Sequence, residues 1–520
     1  MNERRSTPNR RNLVHGMIGL SIVATIALPA AAQFDPDDPL VIPGRVVAAV
    51  RSEKVIADMS SEIASIVGFA PNVTTKNYPY VDFKFALPPD LDARQQIRDV
   101  FEIQLSRSRL KWWDGVARID GTGGQTGSLW VSGIGVEELS FRDQSAWNRI
   151  GLRIDGSSNS WQNPRGASEG RDVLVAVLDT GIDDAHPIFG DRIAPFGVSM
   201  NPADASTADV GNGIDDDGDG ITDEMVGHGT FLSGLVSHMA PEAGLLPIKV
   251  LDSDGRGDTY QLGDGILYAL DKGAHVILVA LGTYELGLGV PSPGAVFVEE
   301  AIEQAVERGV TVIASIGNRY DLSADRCLFP ADLPTVIAVG GSSMVGQIAT
   351  VSNRSSLTTV MAPAESGSIG IHDQIIGPFP GNTYRSASGT SMSAAFVAGA
   401  AALVRAQHPE WPNNDVPLES IAFEVRDRLV QSSSSVLIPL EGGQIYACPE
   451  LDLQSALDFG IFPYPPNGDV DADGDVDGAD LGSMLGWWGQ LPATGVLHRA
   501  DQNGDFTING ADLGFLLGSW

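Results

Sequence analysis

The chain has 520 residues, enough for two to four domains, and 43% of them are hydrophobic, with 60 glycines and 31 prolines spread along it. Acidic residues outnumber basic ones 66 to 33, for a net charge of −33, and only six of the basic residues are lysine. Such a balance excludes a nucleic-acid-binding surface, which needs a basic footprint; it suits a soluble protein in salty water or one that binds cations.

Arg4, Arg5, Arg10 and Arg11 precede an apolar run from Leu13 to Leu28, followed by Pro29-Ala30-Ala31-Ala32-Gln33. A basic region, an apolar core and small residues predict a signal peptide over residues 1–32, cut after Ala32. A membrane anchor is the other reading, but the run is short for a span and Pro29 follows it. Arg10-Arg11 with Leu13-Val14 is a loose twin-arginine match, so the export route stays open. No later segment is apolar enough to span a membrane once the signal is removed, and the expectation is a secreted or cell-surface-associated protein. Cys327 and Cys448 are the two cysteines. An exported protein permits them to pair, but a sequence holds no distance between them, and bridged and free stay open.

Residues 33–127 form the next unit. Strand-like runs at Arg45–Val50, Tyr78–Ala86 and Leu110–Ile119 alternate with helix-like runs at Val55–Ile66 and Leu91–Ser106, which predicts a small α/β module with helices on one sheet. It holds no catalytic cluster. Gly121-Thr-Gly-Gly-Gln-Thr-Gly127 then reads as an exposed linker of the type proteases cut.

A larger α/β unit over residues 141–460 follows. Val173–Leu178 is continuously apolar, as a doubly buried parallel strand requires, and similar runs recur at Leu245–Val250, His275–Leu281, Val310–Ile316 and Thr335–Val339. Helical stretches alternate with them, among them Tyr260–Lys272 and Val296–Arg308. The alternation predicts a parallel sheet wrapped by helices, with reactive residues at strand C-terminal ends. Pro463-Tyr464-Pro465-Pro466-Asn467 is a stiff linker. In residues 461–520 the stretch from Asp469 to Leu481 recurs 32 positions on, as Asp501 to Leu513, an internal repeat.

The chemistry gathers at element ends. Val177-Leu178-Asp179-Thr180-Gly181 puts a carboxylate at the end of a buried strand. Gly227-His228-Gly229-Thr230 opens an apolar helical run, and Gly389-Thr390-Ser391-Met392 opens a nearly uncharged one. A serine there has its backbone N–H at the positive end of a helix, where negative charge is welcome. Each alone has a plain explanation, Asp179 as a turn residue and Ser391 as an N-cap. In the order Asp, His, Ser, each in glycine-rich sequence, they resemble the active-site motifs of the subtilisin-like serine proteases, the subtilases. Ile248–Gly255 resembles the family's strand after the histidine helix, and Ala314-Ser315-Ile316-Gly317-Asn318 the segment with its oxyanion-hole asparagine. The resemblance covers about Phe141 to Leu457. It implies a subtilisin-like α/β fold and a serine endopeptidase acting on protein or peptide substrates without an organic cofactor. Ser391 would be the nucleophile, His228 the base, Asp179 its orienting partner and Asn318 an oxyanion donor, while Ala280, Leu281 and Gly282 would pair with substrate. Three positions depart from the family pattern. Ala395 stands for a proline, Phe231 for a second histidine, and Ala280 for the serine of Ser-Leu-Gly.

Asp215, Asp217, Asp219 and Asp223, with Gly220 at the sixth position, resemble a calcium loop, although Val226 stands at the twelfth where an EF-hand has glutamate. A solvated acidic insertion is the other reading. In the C-terminal repeat Asp469, Asp471, Asp473 and Asp480, and again Asp501, Asn503, Asp505 and Asp512, fall at loop positions one, three, five and twelve. Two such loops, each followed by an apolar stretch, resemble a dockerin module, which implies structural calcium and a cohesin-type partner; a calcium-stabilised tail without a partner is the alternative. The module at Gly44–Asp120 resembles the subtilase propeptide, implying a zymogen, with a permanent N-terminal domain as the alternative. Against the enzyme as a whole stands a catalytically idle binding or assembly protein on the same scaffold.

Overall fold

The computed structural model describes residues 41–50, 53–75, 80–107, 113–121, 169–202, 204–283, 295–319, 327–365, 375–413, 416–431, 434–440, 443–458, 478–486 and 513. The N-terminal module runs β1 (Val41–Ala49), α1 (Glu53–Val67), β2 (Asn72–Thr74), β3 (Tyr80–Lys84), α2 (Leu91–Arg107) and β4 (Trp113–Asp120). Its strands pair antiparallel in the order β2-β3-β1-β4. Successive residues of a strand face opposite sides of the sheet. Val46 and Ala48 therefore join Met59, Ile63, Phe83 and Phe101 under the two helices, while Val47 and Ala49 face Tyr260 and Phe297 of the larger domain. Both faces are covered, which is why β1 reads as an apolar run rather than as an alternation.

The larger domain continues with β5 (Leu174–Asp179), β6 (Val198–Ser199), α3 (His228–Met239), β7 (Gly244–Lys249), β8 (Arg256–Asp258), α4 (Thr259–Asp271), β9 (Val276–Val279), α5 (Val296–Glu307), β10 (Thr311–Ser315), β11 (Ile337–Ser343) and β12 (Val360–Glu365). Then come β13 (Ile375–Phe379), β14 (Thr383–Ala387), α6 (Thr390–Gln407), α7 (Ile421–Leu429), β15 (Ser435–Pro439), β16 (Ile445–Pro449) and α8 (Leu453–Asp458), and beyond them α9 (Gly478–Gly486). Seven strands form one sheet in the order β12-β11-β10-β9-β5-β7-β6, and every pairing in it is parallel. In β5, Val175 and Val177 enter the core shared with α3 and α6. Ala176 and Leu178 enter the core shared with α4 and α5. The expected subtilisin-like α/β architecture is present.

The chain leaves β5 towards β7 on one side and later returns to β9 on the other, so β5 is the strand at which the sheet order reverses. In open parallel sheets ligands bind outside the carboxyl ends at such a point. From Thr390 to Val404 every residue of α6 is buried, as its uncharged composition requires. Even so, no helix among the described residues is long and apolar enough to cross a membrane. The hairpins β13–β14 and β15–β16 lay outside the expected strand runs. Cys327 sits in the α4–α5 core, and Cys448 lies on β16 in a cluster with Met361. Both are buried and free, and burial raises both thiol pKa values.

Candidate active site

Asp179 ends β5, and its Oδ1 accepts the next backbone N–H, from Thr180, at 2.8 Å. His228 is the first residue of α3. A close approach between strand end and helix start brings the two together, and it depends on glycine: a Cβ on Gly229 would stand 2.1 Å from the Gly181 carbonyl oxygen. His228 Nδ1 then lies 2.8 and 2.9 Å from the two Asp179 carboxylate oxygens, and both side chains are buried at about 1% exposure. With Nδ1 donating to the carboxylate, Nε2 carries the free lone pair.

Ser391 lies in the first turn of α6, where backbone N–H groups have no intrahelical acceptor. Its Oγ donates to the Ala280 carbonyl at 3.5 Å, a long bond, on the segment that follows β9. Asn318 meets α6 one residue earlier. Its Oδ1 accepts the Thr390 N–H at 2.9 Å and the Thr390 hydroxyl at 3.0 Å. A backbone N–H can only donate, so the amide oxygen must face Thr390, and the amide nitrogen lies beside Gly389. Leu281 is buried, and Gly282 passes so close to Phe329 that a Cβ would stand 1.8 Å from its carbonyl oxygen. The structure thus joins Asp179 of β5 to His228 of α3, Ser391 of α6 to Ala280 after β9, and Asn318 after β10 to Thr390 of α6, with no hydrogen bond between His228 and Ser391.

One buried group at this site was not picked out from the sequence. Asp209, 1% exposed, accepts the Thr180 hydroxyl at 3.0 Å and the Gly227 N–H at 2.9 Å on Oδ1, and the Thr230 N–H at 3.0 Å and hydroxyl at 2.7 Å on Oδ2. Burial pushes its pKa up, against the hydrogen bonds from Gly227 and Thr230. It stands in a polar stretch 18 residues ahead of Gly227, and no local pattern marks it. Lys249, also buried, donates to the Thr180 carbonyl at 2.6 Å.

The departures from the family pattern are accommodated by packing. Phe231 is fully buried against β13, where a Cβ on Gly377 would come within 2.7 Å of its ring. An aromatic ring and a bare backbone fill that space together. Ala395 is fully buried within an unbroken α6.

In the acidic loop before His228, Asp215, Asp217 and Asp219 each bring a carboxylate oxygen within 4.8 Å of the others, a spacing that fits a hard, oxygen-ligated cation. Asp223 is engaged elsewhere: its carboxylate accepts the N–H groups of Asn212 and Gly213. Arg256 Nη2 lies 2.7 Å from Asp217. Of the C-terminal residues, Asp480 falls in α9, and Asp469, Asp471, Asp473, Asp501, Asn503, Asp505 and Asp512 lie outside the described residues.

Residues 170–460 match the model of the subtilase family, peptidase S8. Subtilisin BL from Lederbergia lenta is 36% identical over 276 residues, covering 51% of this chain and 85% of its own length. Subtilisin E from Bacillus subtilis (strain 168) is 32% identical over 275 residues, covering 51% of this chain and 61% of its own. The crystal structure of fervidolysin from Fervidobacterium pennivorans superimposes with a TM-score of 0.56 at 20% identity, covering 81% of this chain and 62% of that one, which is a likeness of fold. The parallel sheet with Asp179 at its switch strand, the Asp179–His228 contact, the serine at the head of a buried helix and the family match lead to one assignment: this chain belongs to the subtilase family and is a serine-type endopeptidase.

Proposed function

We propose that Ser391, His228, Asp179 and Asn318 carry the peptide-bond hydrolysis. Ser391 Oγ attacks the scissile carbonyl carbon while His228 Nε2 takes its proton. The same proton passes to the leaving amine as the C–N bond breaks, and a water activated by His228 then hydrolyses the acyl-enzyme. Asp179 holds Nδ1 protonated and stabilises the imidazolium. The Asn318 amide and the Ser391 N–H stabilise the oxyanion. The single observation that carries this reading is the buried contact of His228 Nδ1 with both Asp179 oxygens. The Ser391–Ala280 bond is the one feature that favours an idle scaffold, but catalytic hydrogen bonds in unliganded sites are often long and tighten with substrate. A fluorophosphonate probe decides between the two: the wild type should be labelled, and labelling no better than that of Ser391→Ala would end the enzyme assignment of these residues.

We further propose an exported zymogen, with residues 1–32 as signal peptide and the module ending at β4 as propeptide. The zymogen reading is supported by the way β4 lies antiparallel along β8, Arg118 opposite Asp258 and Asp120 opposite Arg256, and by the Gly121 N–H donating to the Gly255 carbonyl at 2.8 Å. An extended segment on a sheet edge is also how a peptide substrate binds. N-terminal sequencing of the exported form should then find a start between Gly127 and Phe141, and one at Gln33 would mean a permanent domain. Structural calcium at Asp215, Asp217 and Asp219 belongs to the same proposal and would stiffen the loop leading to His228. The repeat spacing alone supports calcium in a dockerin-like tail over residues 461–520 and a cohesin-type partner for it.

A further inference from the structure

We infer that Asp209 is a positioning residue that locks His228 against Asp179, an inference that rests on the assignment of His228 as the base. Thr180 directly follows Asp179, while Gly227, Gly229 and Thr230 surround His228. All are joined through one buried carboxylate. The Thr180 hydroxyl accepts the Gly229 N–H at 3.0 Å, and the Thr230 hydroxyl accepts the Asp183 N–H at 2.9 Å. Each hydroxyl therefore has its single proton free for Asp209, and both give it. The carboxylate is left with four donors, from the Thr180 hydroxyl, the Gly227 N–H, and the Thr230 N–H and hydroxyl, and no room for a proton of its own.

This arrangement does two things. First, Gly227 precedes α3 and brings no side-chain cap of its own. The Gly227 and Thr230 N–H groups at this helix start are met instead by an aspartate from a remote loop, a stabilising place for negative charge. Because the same oxygens hold Thr180, the start of α3 cannot slide or rotate without breaking the link to the end of β5. The two-oxygen contact at His228 Nδ1 depends on that register. Second, a negative charge close to an imidazole favours the imidazolium formed as Ser391 attacks. The charged groups facing this network are Asp179 from β5, His228 from α3 and the Lys249 ammonium from β7, which donates to the Thr180 carbonyl. Asp209 is buried, with all four of its acceptor contacts made to protein groups, so its contribution falls on turnover and not on binding.

The test is Asp209→Asn in the full chain. The amide keeps the shape, but its NH2 must point at groups that are themselves donors. Misplacement of a catalytic group on the ångström scale costs about 10–100-fold, so kcat should fall by about that factor with KM within about twofold. Fluorophosphonate labelling of Ser391 should slow in parallel, and the acid limb of kcat/KM should move to lower pH as the nearby charge is lost. Thr180→Val, which removes one donor and keeps the carboxylate, should lower kcat and slow labelling by about three- to tenfold while leaving the acid limb in place. A folded Asp209→Asn protein with unchanged kcat and acid limb overturns the inference, even if its Tm drops. Should that variant not fold, an unchanged Thr180→Val overturns it alone. Failure of the wild type to label would instead remove the assignment of Ser391 and His228, and this inference with it.

Discussion

Arg45 is the cation on which the docking of the N-terminal module turns. Its guanidinium is bonded to Asp82 at 2.8 Å and to Asp258 of the catalytic domain, and both carboxylates are largely shielded from water. Burial raises the Asp82 pKa against the pull of Arg45, so Arg45 is what makes the charged form tolerable. Arg45→Met keeps much of the aliphatic stem and removes the charge. Breaking a buried pair by deleting one partner costs about 3–5 kcal/mol. The low end applies here, because Lys84 Nζ remains 3.3 Å from Asp82 and Asp258 still accepts the Gln261 N–H. A loss of about 3 kcal/mol is about 10²-fold in the docking equilibrium. The assay is hydrogen exchange in a Ser391→Ala background, where self-cleavage is removed, read at the Gly121 amide that bonds Gly255. It should exchange about 10²-fold faster. Adding Asp82→Asn and Asp258→Asn to Arg45→Met should restore most of the protection, since no buried carboxylate is then left unpaired and the Lys84 ammonium is partly exposed to water. Exchange within threefold of the parent, or a triple variant no better than Arg45→Met, would refute the reasoning.

Asn318→Ala should lower kcat by about 10²–10³ with little change in KM, because the role proposed for its amide is to hold the oxyanion and not the bound substrate; steady-state kinetics on a peptide substrate check it. Burial, with Asp254 beside it, pushes the Glu224 carboxyl up to about 7. An acid whose pKa is higher in the folded state than unfolded binds its proton more tightly when folded. With metal chelated, stability should therefore fall as pH rises through about 7, and Tm should be higher at pH 6 than at pH 8. Glu224→Gln should flatten that difference, as thermal unfolding at the two pH values would show.

The motifs around Asp179, His228 and Ser391 are legible in the sequence because the geometry each one asks for is local. A glycine beside an aspartate at a strand end, a histidine between glycines and a serine heading an uncharged helix each state their geometry within a few residues. The strands of the parallel sheet were legible for a related reason. A strand buried on both faces has to be apolar throughout, as Val173–Leu178 is, and a helix buried all round has to be uncharged, as α6 is. What only the tertiary structure decided involves contacts without a local pattern. Asp209 matters through partners on β5 and α3. Phe231 is suited to its place only because Gly377 of a remote hairpin leaves room for it. Cys327 and Cys448 are separated by the cores they occupy, and β4 finds β8 across more than a hundred residues. In each of these the deciding quantity is a distance between segments far apart in the chain, set by how the sheet orders its strands. Composition and spacing do not encode that order residue by residue, whereas a buried carboxylate, once folded among four donors, has only one position it can hold.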